Sequence, residues 1–437
     1  MSVLAILGGS PVRTRPFSPW PLYTDRDSER LQGVLASRNW GGYPFPNRYA
    51  TDFGARFAAC HGASYGCCVA NGTVAITIAL RAAGLRPGDE VIVPAYTWDG
   101  TATAVLDAGC VPVFADVDPD SYCLSAEAVR GAITPKTRSI VPVHLAMRFT
   151  DMDALRSIAK EHGLIIVEDC AHAHGGAWGG QGSGSMGGLG TFSFQSSKTM
   201  TAGEGGAIIT SNLEYFELVQ TIVNCGRASE TDKFGKRLSG GNYRMTEFQA
   251  AILVGQLEML EELTERRARN AQFLSETLTG IEGISPLPRQ DRATREFYYN
   301  YVFRYAAGDS SVPRDAFVAA LDAEGVPADG RFYEPVYRSD LFQVDAAQFP
   351  QLAAGRDEPV DFSKSFCPVA ERAAYDEAVW IPQFVLLGGE EDVKDIAAAV
   401  LKVITHREDL RSSGRDLAGV KSMSRAERPR VEKARNY

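Results

Sequence analysis

The sequence lacks the features of several protein classes. No apolar run reaches the roughly 18 residues that a membrane span requires, and the start, MSVLAILGGSPVRTRPF, lacks the basic region and cleavage pattern of a signal peptide. The eight cysteines show no CxxC spacing, which disfavours a disulfide framework. Basic residues number 45 against 54 acidic ones, and the resulting net charge of −9 argues against nucleic acid as a partner. We expect a cytoplasmic protein with no membrane partner.

The composition is that of a folded chain. Of the 437 residues, 45% are apolar and 23% are charged, close to the globular average. A disordered chain would carry fewer apolar residues and a larger charge imbalance. The length suits one large α/β domain with a smaller companion.

Short apolar runs rich in β-branched residues alternate with helical patterns in the first half of the chain. The runs are continuous rather than alternating with polar residues, as in strands that are covered on both faces. They lie at 90–94, 111–115, 139–143, 164–168, 191–194 and 207–210, with helical patterns at 73–85, 100–108 and 152–162. This alternation predicts an α/β fold with a mostly parallel central sheet.

A long amphipathic helix predicted from about 246 to 279 divides the chain, with apolar residues three and four positions apart. We predict a large domain with an N-terminal arm over 1–279 and a smaller C-terminal α/β domain over 280–405. Residues 406–437 are rich in Arg, Lys and Ser and lack apolar periodicity, which predicts a mobile basic tail.

The glycine-rich segment 179–190 (GGQGSGSMGGLG) has spacing similar to GxGxxG. A dinucleotide fingerprint follows a strand and opens a helix, whereas this segment precedes the strand pattern TFSF. The pattern therefore favours a flexible connection, and a nicotinamide oxidoreductase is only a remote alternative.

Three segments carry candidate chemistry. In EDCAHAHG, Asp169 follows the strand LIIV at the carboxyl end where α/β sheets bind ligands, although an acidic pair alone is more often a cap or an ion pair. Lys198 lies in a loop of small residues just past a strand. A surface position is the default for lysine, but burial there would favour the uncharged amine, a nucleophile toward a carbonyl. Gly72 and Thr73 lie where a strand ends and a helix begins, which suits either a bound phosphate or an ordinary capped helix.

Together these parts meet the needs of pyridoxal phosphate, which requires a lysine for a Schiff base, a carboxylate for its pyridine nitrogen and a phosphate cup. Trp98 follows the strand EVIVP and could stack on the cofactor ring, although by itself it could equally be a core or rim aromatic. His172 and His174 form an HxH pair without a third ligand at useful spacing, so no metal is expected.

The strings EDCAHAHG, FSFQSSK, TAGEGG and NYRMTEFQAAIL occur in this order and resemble the DegT/DnrJ/EryC1/StrS family of sugar aminotransferases. The resemblance covers about 20–404 and implies the type I fold of aspartate aminotransferase, with pyridoxal phosphate as cofactor. It also implies that Lys198 forms the Schiff base and that Asp169 pairs with the pyridinium nitrogen. The further cofactor contacts that it implies are Gly72, Thr73, Trp98, His172, Ser193 and Asn242. In this family the residue at Asn242 reaches the neighbouring subunit's phosphate, so a homodimer with shared active sites is expected.

The resemblance implies a ping-pong transfer from an amino-acid donor, glutamine or glutamate, to a ketone. The segments PFSPWPLYTDRD, DSYCL and CPVAERAAYDEAVWIPQFVLL resemble the glutamine-dependent branch that aminates scyllo-inosose or 2-deoxy-scyllo-inosose in aminoglycoside or related secondary-metabolite biosynthesis. The candidate substrate contacts are Arg227, Tyr299, Tyr337 and Gln383. Relatives often carry His where Gln383 stands, so another ketone is also open.

Three alternatives to a ketocyclitol aminotransferase are kept. The first is an aminotransferase for nucleotide-diphosphate ketosugars, and the second is an enzyme like 3-amino-5-hydroxybenzoate synthase. The third, of another class, is a non-catalytic regulatory protein that binds pyridoxal phosphate. The presence of both Lys198 and Asp169 argues against the third.

Overall fold

The computed structural model describes residues 3–42, 45–227, 239–308 and 312–413. Its helices are α1 (Asp25–Ser37), α2 (Arg48–Cys60), α3 (Gly72–Ala82), α4 (Gly100–Asp107), α5 (Ala126–Ala132), α6 (Met152–His162), α7 (Leu213–Val223), α8 (Glu247–Leu278), α9 (Arg314–Ala323), α10 (Pro368–Arg372), α11 (Glu390–Thr405) and α12 (Arg407–Ser412). Its strands are β1 (Tyr65–Val69), β2 (Glu90–Pro94), β3 (Val111–Ala115), β4 (Thr137–Ile140), β5 (Ile165–Asp169), β6 (Ala177–Trp178), β7 (Gln181–Gly182), β8 (Leu189–Ser193), β9 (Gly206–Thr210), β10 (Ile284–Pro286), β11 (Ala293–Arg295), β12 (Asn300–Tyr305) and β13 (Ala378–Pro382).

A seven-stranded sheet in the order β1-β9-β8-β5-β4-β2-β3 forms the centre of the larger part of the chain. Neighbouring strands run parallel except at β9, which is antiparallel to both β1 and β8. One face packs on α2, α5, α6 and α8, and the other packs on α3, α4 and α7. The predicted α/β fold with a mostly parallel sheet is confirmed, and burial of both faces explains the continuous apolar runs.

Local sequence sets where the site-forming helices begin. The Asn71 side chain accepts a hydrogen bond from the Val74 N–H and caps α3. Thr246 and Gln249 form a capping box at the start of α8. These caps place the two helix N-termini at fixed points beside the sheet.

The carboxyl ends of the parallel strands meet at one edge of the sheet. There β5 ends at Asp169 and β8 ends at Ser193. The chain leaves β1 toward Gly72, and it leaves β2 toward Trp98. Because this edge is where open α/β sheets bind ligands, the topology gathers the predicted cofactor residues in one place.

A three-stranded antiparallel sheet, β10-β12-β13, forms a smaller unit with α9 and α11. The N-terminal arm packs on this unit, although the predicted boundaries group it with the large domain. Buried Glu324 accepts hydrogen bonds from the backbone N–H groups of Ala5, at 2.8 Å, and Val12, at 3.0 Å. Arg13 is also buried and pairs with Asp395 at 2.7 Å.

The segment predicted as a mobile tail begins with a short folded stretch. Helix α12 lies within it, and Leu410 of that helix is buried in the smaller unit. Residues 414–437 lie outside the described part of the chain. Among the helices that the structure describes, none combines the length and apolar character needed to cross a bilayer.

Glu247 couples two helix N-termini and provides a test of the packing. It opens α8, is buried, and accepts hydrogen bonds from the Tyr49 and Ala50 N–H groups of α2 at 2.9 and 3.0 Å. We expect Glu247→Gln to lower the free energy of unfolding by about 1–3 kcal/mol, because charge-assisted bonds to buried donors are lost. Equilibrium urea denaturation measures this change.

The matched control is Glu262→Gln on the same helix, where the carboxylate is 68% exposed and pairs with Arg266. We expect a change within about 0.5 kcal/mol, because exposed ion pairs contribute little. Equal effects of the two substitutions would contradict the role given to Glu247.

Candidate active site

Asp169 is a buried carboxylate at the end of β5. Its Oδ2 accepts a hydrogen bond from the Thr101 hydroxyl at 2.9 Å, and its Oδ1 accepts one from the Ala171 N–H at 3.1 Å. Burial raises the pKa of Asp169, while these two donors and the positive charge of Lys198 act against that rise. The carboxylate is therefore held by neutral donors beside a cation, an arrangement that suits a protonated ring nitrogen.

Lys198 lies in the loop after β8 and is 8% exposed. Its Nζ lies 4.5 Å from the centre of the Tyr299 ring. The Tyr299 hydroxyl and the Ser197 Oγ are 2.8 Å apart and form a hydrogen bond, which fixes the ring next to the loop. The amine thus faces an aromatic surface instead of bulk water.

Gly72, Thr73 and Ser193 form a cradle of donors. Gly72 and Thr73 open α3, where backbone N–H groups have no acceptor within the helix. A Cβ added at Gly72 would lie 2.7 Å from the Ser193 Cβ and 3.2 Å from its Oγ, so the turn and the strand end are in close contact. N–H groups, a hydroxyl and the positive end of a helix converge there, which suits a phosphate.

Trp98 presents a flat ring beside this cradle. It is 42% exposed, and its ring centre lies 6.4 Å from that of Tyr333. A Cβ at Gly100 would lie 2.6 Å from the Trp98 Nε1 and 2.9 Å from the Thr73 Oγ1. Gly100 therefore lets the indole fold back toward Thr73, with a face open to another ring.

His172 is held as a neutral imidazole. The Ala146 N–H donates to its Nδ1 at 3.1 Å, so the proton lies on Nε2, which donates to the Tyr333 hydroxyl at 3.2 Å. Its ring stacks on Tyr299 with centres 3.8 Å apart and planes tilted by 23°. This stack connects His172 to the ring that lies under Lys198.

The groups along this edge fit pyridoxal phosphate. A buried carboxylate, a buried amine, a donor cradle and an aromatic face are the four parts that its ring nitrogen, aldehyde, phosphate and ring plane require. Because Gly72 has no side chain, the turn can approach Ser193 closely at the cradle. The predicted residues Asp169, Lys198, Ser193 and Trp98 are thus brought together by the fold.

Three other predicted residues lie in different surroundings. Asn242 is exposed and bridges Asn224 through the backbone. Arg227 is also exposed, and its N–H donates to the Asn224 carbonyl at 3.1 Å. Gln383 is buried and accepts a hydrogen bond from the Arg267 Nε at 2.8 Å.

Tyr337, another predicted substrate contact, is buried and hydrogen-bonded within the protein. Its hydroxyl donates to Glu371 at 3.0 Å and accepts from the Cys367 N–H at 2.8 Å. Its ring packs on Phe114 of β3. These contacts already use the hydroxyl as a donor and as an acceptor, and its assignment to substrate stays a prediction.

Sequence reasoning missed two residues of the site. Thr101 bonds Asp169, and its closeness to Trp98 in TWDGTAT was the only local signal. Tyr333, which accepts from His172, comes from a distant segment with no recognisable motif. Tyr299 is a predicted substrate contact, and its ring packs against Lys198 and His172.

Next to the site lies a buried group of side chains of the types that can bind a metal, and hydrogen bonds within the protein engage these side chains. His144, Glu168 and Cys170 bring their ligand atoms within 4.8 Å of one another. Glu168 accepts from His144 Nε2 and from three backbone N–H groups, those of Gly184, Met186 and Gly187. Burial raises the pKa of Cys170 well above its usual value and keeps the thiol protonated. We therefore assign no metal to this group.

The cradle gives a direct test with pyridoxal phosphate. Gly72→Ala should weaken cofactor binding by about 10–100-fold, because the new methyl group would meet the Ser193 Cβ and Cα and separate the cradle donors. Spectroscopic titration of the chain with the cofactor measures the dissociation constant.

Gly131→Ala is the matched control, because a Cβ there meets nothing within 4 Å and the backbone is helical. We expect unchanged cofactor affinity in that variant. Unchanged affinity in Gly72→Ala as well would exclude the cradle as the phosphate site.

Comparisons with known proteins agree with this geometry. The chain is 46% identical over 417 residues to a Streptoalloteichus tenebrarius protein with the provisional name L-glutamine:3-amino-2,3-dideoxy-scyllo-inosose aminotransferase, covering 94% of this chain and 100% of that one. It is 39% identical over 417 residues to the L-glutamine:2-deoxy-scyllo-inosose aminotransferase of Streptomyces paromomycinus, covering 92% and 98% of the two chains.

The crystal structure of 3-amino-5-hydroxybenzoic acid synthase aligns with a TM-score of 0.80 and 34% identity, covering 90% of this chain and 100% of that chain. This likeness confirms the fold of pyridoxal-phosphate-dependent aminotransferases and, with it, the cofactor. The DegT/DnrJ/EryC1/StrS aminotransferase family model matches residues 24–401. The chain therefore belongs to the DegT/DnrJ/EryC1/StrS aminotransferase family.

Proposed function

We propose that the chain transfers the amino group of L-glutamine to the ketone of a cyclitol of the scyllo-inosose type, in aminoglycoside or related biosynthesis. The observation that carries this proposal is the 46% identity along the full length of a relative named for that activity. Three relatives named for 3-amino-2,3-dideoxy-scyllo-inosose share 43–46% identity, and those named for 2-deoxy-scyllo-inosose share 37–39%. The higher identity to the first group of relatives favours an acceptor that already carries one amino group.

Asp169 would hold the cofactor's ring nitrogen in its protonated form. When bound, pyridoxal phosphate supplies an electron sink for the bond broken at the donor's α carbon. The bonds from Thr101 and Ala171 orient the Asp169 carboxylate, and burial strengthens its attraction to a cationic nitrogen.

Lys198 would hold the cofactor covalently and, once displaced by the donor amine, move a proton at the donor's α carbon. Lys198 is buried and its Nζ faces the Tyr299 ring, which keeps the amine away from bulk water during that transfer. Ser197 fixes Tyr299, and Tyr299 stacks on His172, so the lysine is supported by a connected set of side chains. Gly72, Thr73 and Ser193 would hold the phosphate, and Trp98 would cover the ring.

We propose further that the active protein is a homodimer with shared sites, in which Asn242 of one subunit reaches the phosphate bound by the other. The support for this assignment is the exposed side chain of Asn242 in the segment that resembles the family's NYR motif.

The identity of the acceptor can be tested with enzyme loaded with pyridoxal phosphate. Glutamine should abolish the absorbance of protein-bound pyridoxal phosphate by converting the cofactor to its amine form. Adding 3-amino-2,3-dideoxy-scyllo-inosose, 2-deoxy-scyllo-inosose or scyllo-inosose should restore that absorbance, with the first fastest. Restoration by nucleotide-diphosphate ketosugars alone would refute the cyclitol assignment, and no conversion by any amine donor would refute aminotransfer.

The shared site is tested by co-expressing two inactivated chains. Lys198→Ala should lower turnover by about 10³-fold or more, and Asn242→Ala should weaken cofactor binding. In a mixed dimer, one site then receives Lys198 from one chain and Asn242 from the other. We expect activity above that of either variant by itself. Absence of such recovery in isolated mixed dimers would contradict sharing.

Lys160→Ala, an exposed substitution on α6, is the control for the lysine change. Its turnover and cofactor absorbance should match those of the unsubstituted chain.

A further inference from the structure

Two buried side chains, Arg267 and Gln383, form a group of nitrogen donors with the half-buried Trp20, here called the donor cluster. Arg267 of α8 is 1% exposed, and Gln383, which follows β13, is 2% exposed. The Arg267 Nε donates to the Gln383 Oε1 at 2.8 Å. The Trp20 ring centre lies 5.1 Å from the guanidinium carbon of Arg267. The cluster is thus a planar cation flanked by an amide and an indole ring.

Three donor atoms of this cluster have no acceptor. The Arg267 Nη1 and Nη2 and the Gln383 Nε2 are buried and make no hydrogen bond. Within the described part of the chain, no carboxylate lies at ion-pair distance from the Arg267 guanidinium. Burial, followed by the charge of Arg266, lowers the pKa of Arg267 to about 9, so the group stays charged at neutral pH. A buried cation without a counter-ion is costly, and an anionic ligand would remove that cost.

The donor cluster lies beside the lysine loop. The β12–β13 ladder ends with the pair of Asn300 and Pro382, and these two residues directly adjoin Tyr299 and Gln383 in the chain. Tyr299 is the ring under Lys198. On the other side, the Trp20 Nε1 donates to the Ser196 carbonyl at 3.2 Å, two residues before Lys198.

Electrostatics agree with this placement. Burial lowers the pKa of His174 well below its usual range, and the positive charges of Lys198 and Arg267 both act in the same direction. Both cations therefore lie near one buried ring. His174 itself is bound to the Ser193 carbonyl and to the Thr199 hydroxyl, so it is not an acceptor for the guanidinium.

We propose that Arg267 and Gln383 bind the α-carboxylate of the amino-acid donor, an inference that rests on the aminotransfer proposed above. A guanidinium with two free N–H groups matches a carboxylate in geometry and charge. The α-carboxylate is attached to the carbon at which Lys198 moves a proton, so its binding site must lie beside that lysine. A ketocyclitol has no carboxylate, and its hydroxyls would leave the cation uncompensated. The donor cluster therefore acts on the donor half of the cycle.

The ping-pong cycle allows the two halves to be measured separately in the loaded enzyme. For Arg267→Met, we expect the glutamine concentration that gives half the maximal rate of cofactor conversion to rise about 100-fold, because a buried charge-assisted contact is lost. In the acceptor half of the cycle, scyllo-inosose converts the amine form of the cofactor back to pyridoxal phosphate. The rate of this conversion in Arg267→Met should equal that in the unsubstituted enzyme. Equal slowing of both halves would overturn the proposal and indicate a structural role.

A binding measurement gives a readout independent of turnover. Glutaramate, which is glutamine without its α-amino group, should bind the loaded enzyme in calorimetry, weaken about 100-fold in Arg267→Met and weaken less in Arg267→Lys. Arg269→Met, an exposed substitution on the same helix, should leave that affinity unchanged. Equal affinity in the Arg267 variants and the unsubstituted chain would overturn the proposal.

Thermal unfolding separates an anchoring role from a packing role. Without glutamine, the Tm of Arg267→Met should not fall, because the substitution removes an uncompensated buried charge and keeps the side-chain volume. A marked fall in both Arg267→Met and Arg267→Lys would contradict the inference. The unsubstituted enzyme could fail to react with glutamine and react with another amino acid instead. That result would refute glutamine as the donor, and the role of Arg267 in carboxylate binding would then be tested with that amino acid.

Discussion

The site depends on placing a cationic amine and a carboxylate together at a dry edge of the sheet. Lys198 and Asp169 are both at least nine-tenths buried, and each charge would be costly there without an opposite charge nearby. The sheet provides the position, because β5 ends at Asp169 and the loop after β8 carries Lys198. Neutral donors complete the carboxylate's bonding and leave its charge available to a ligand. The cofactor that the family uses supplies the missing complementary groups.

The same reasoning applies to Arg267 on the other side of Tyr299. Lys198 is covered by an aromatic ring and attracted to Asp169. Arg267 contacts an amide and an indole ring but no anion. A folded chain tolerates such a cation only if other contacts outweigh its cost or if a ligand supplies the charge. The substrate-binding energy and the stability of the empty enzyme are then opposed, as expected for functional sites.

Much of the fold and the centre of the site could be predicted from the sequence because their signals are local. Continuous apolar runs gave the strands of the sheet, and the loops at their carboxyl ends carry Asp169 and Lys198 within short strings. The pairing of Tyr299 with Lys198, the partner of His172 and the unpaired state of Arg267 depend on segments more than sixty residues apart. No local pattern encodes such contacts. The contacts of Tyr337 are also non-local, since its partners Glu371 and Cys367 lie about thirty residues away.

The most direct test of this account identifies the lysine that carries the cofactor. The chain loaded with pyridoxal phosphate is reduced with borohydride, which makes the bond to the protein permanent, and is then digested and sequenced by mass spectrometry. We expect the cofactor on Lys198, and we expect prior incubation with glutamine to protect this residue from labelling. Cofactor attached to any other lysine, or to none, would contradict this expectation.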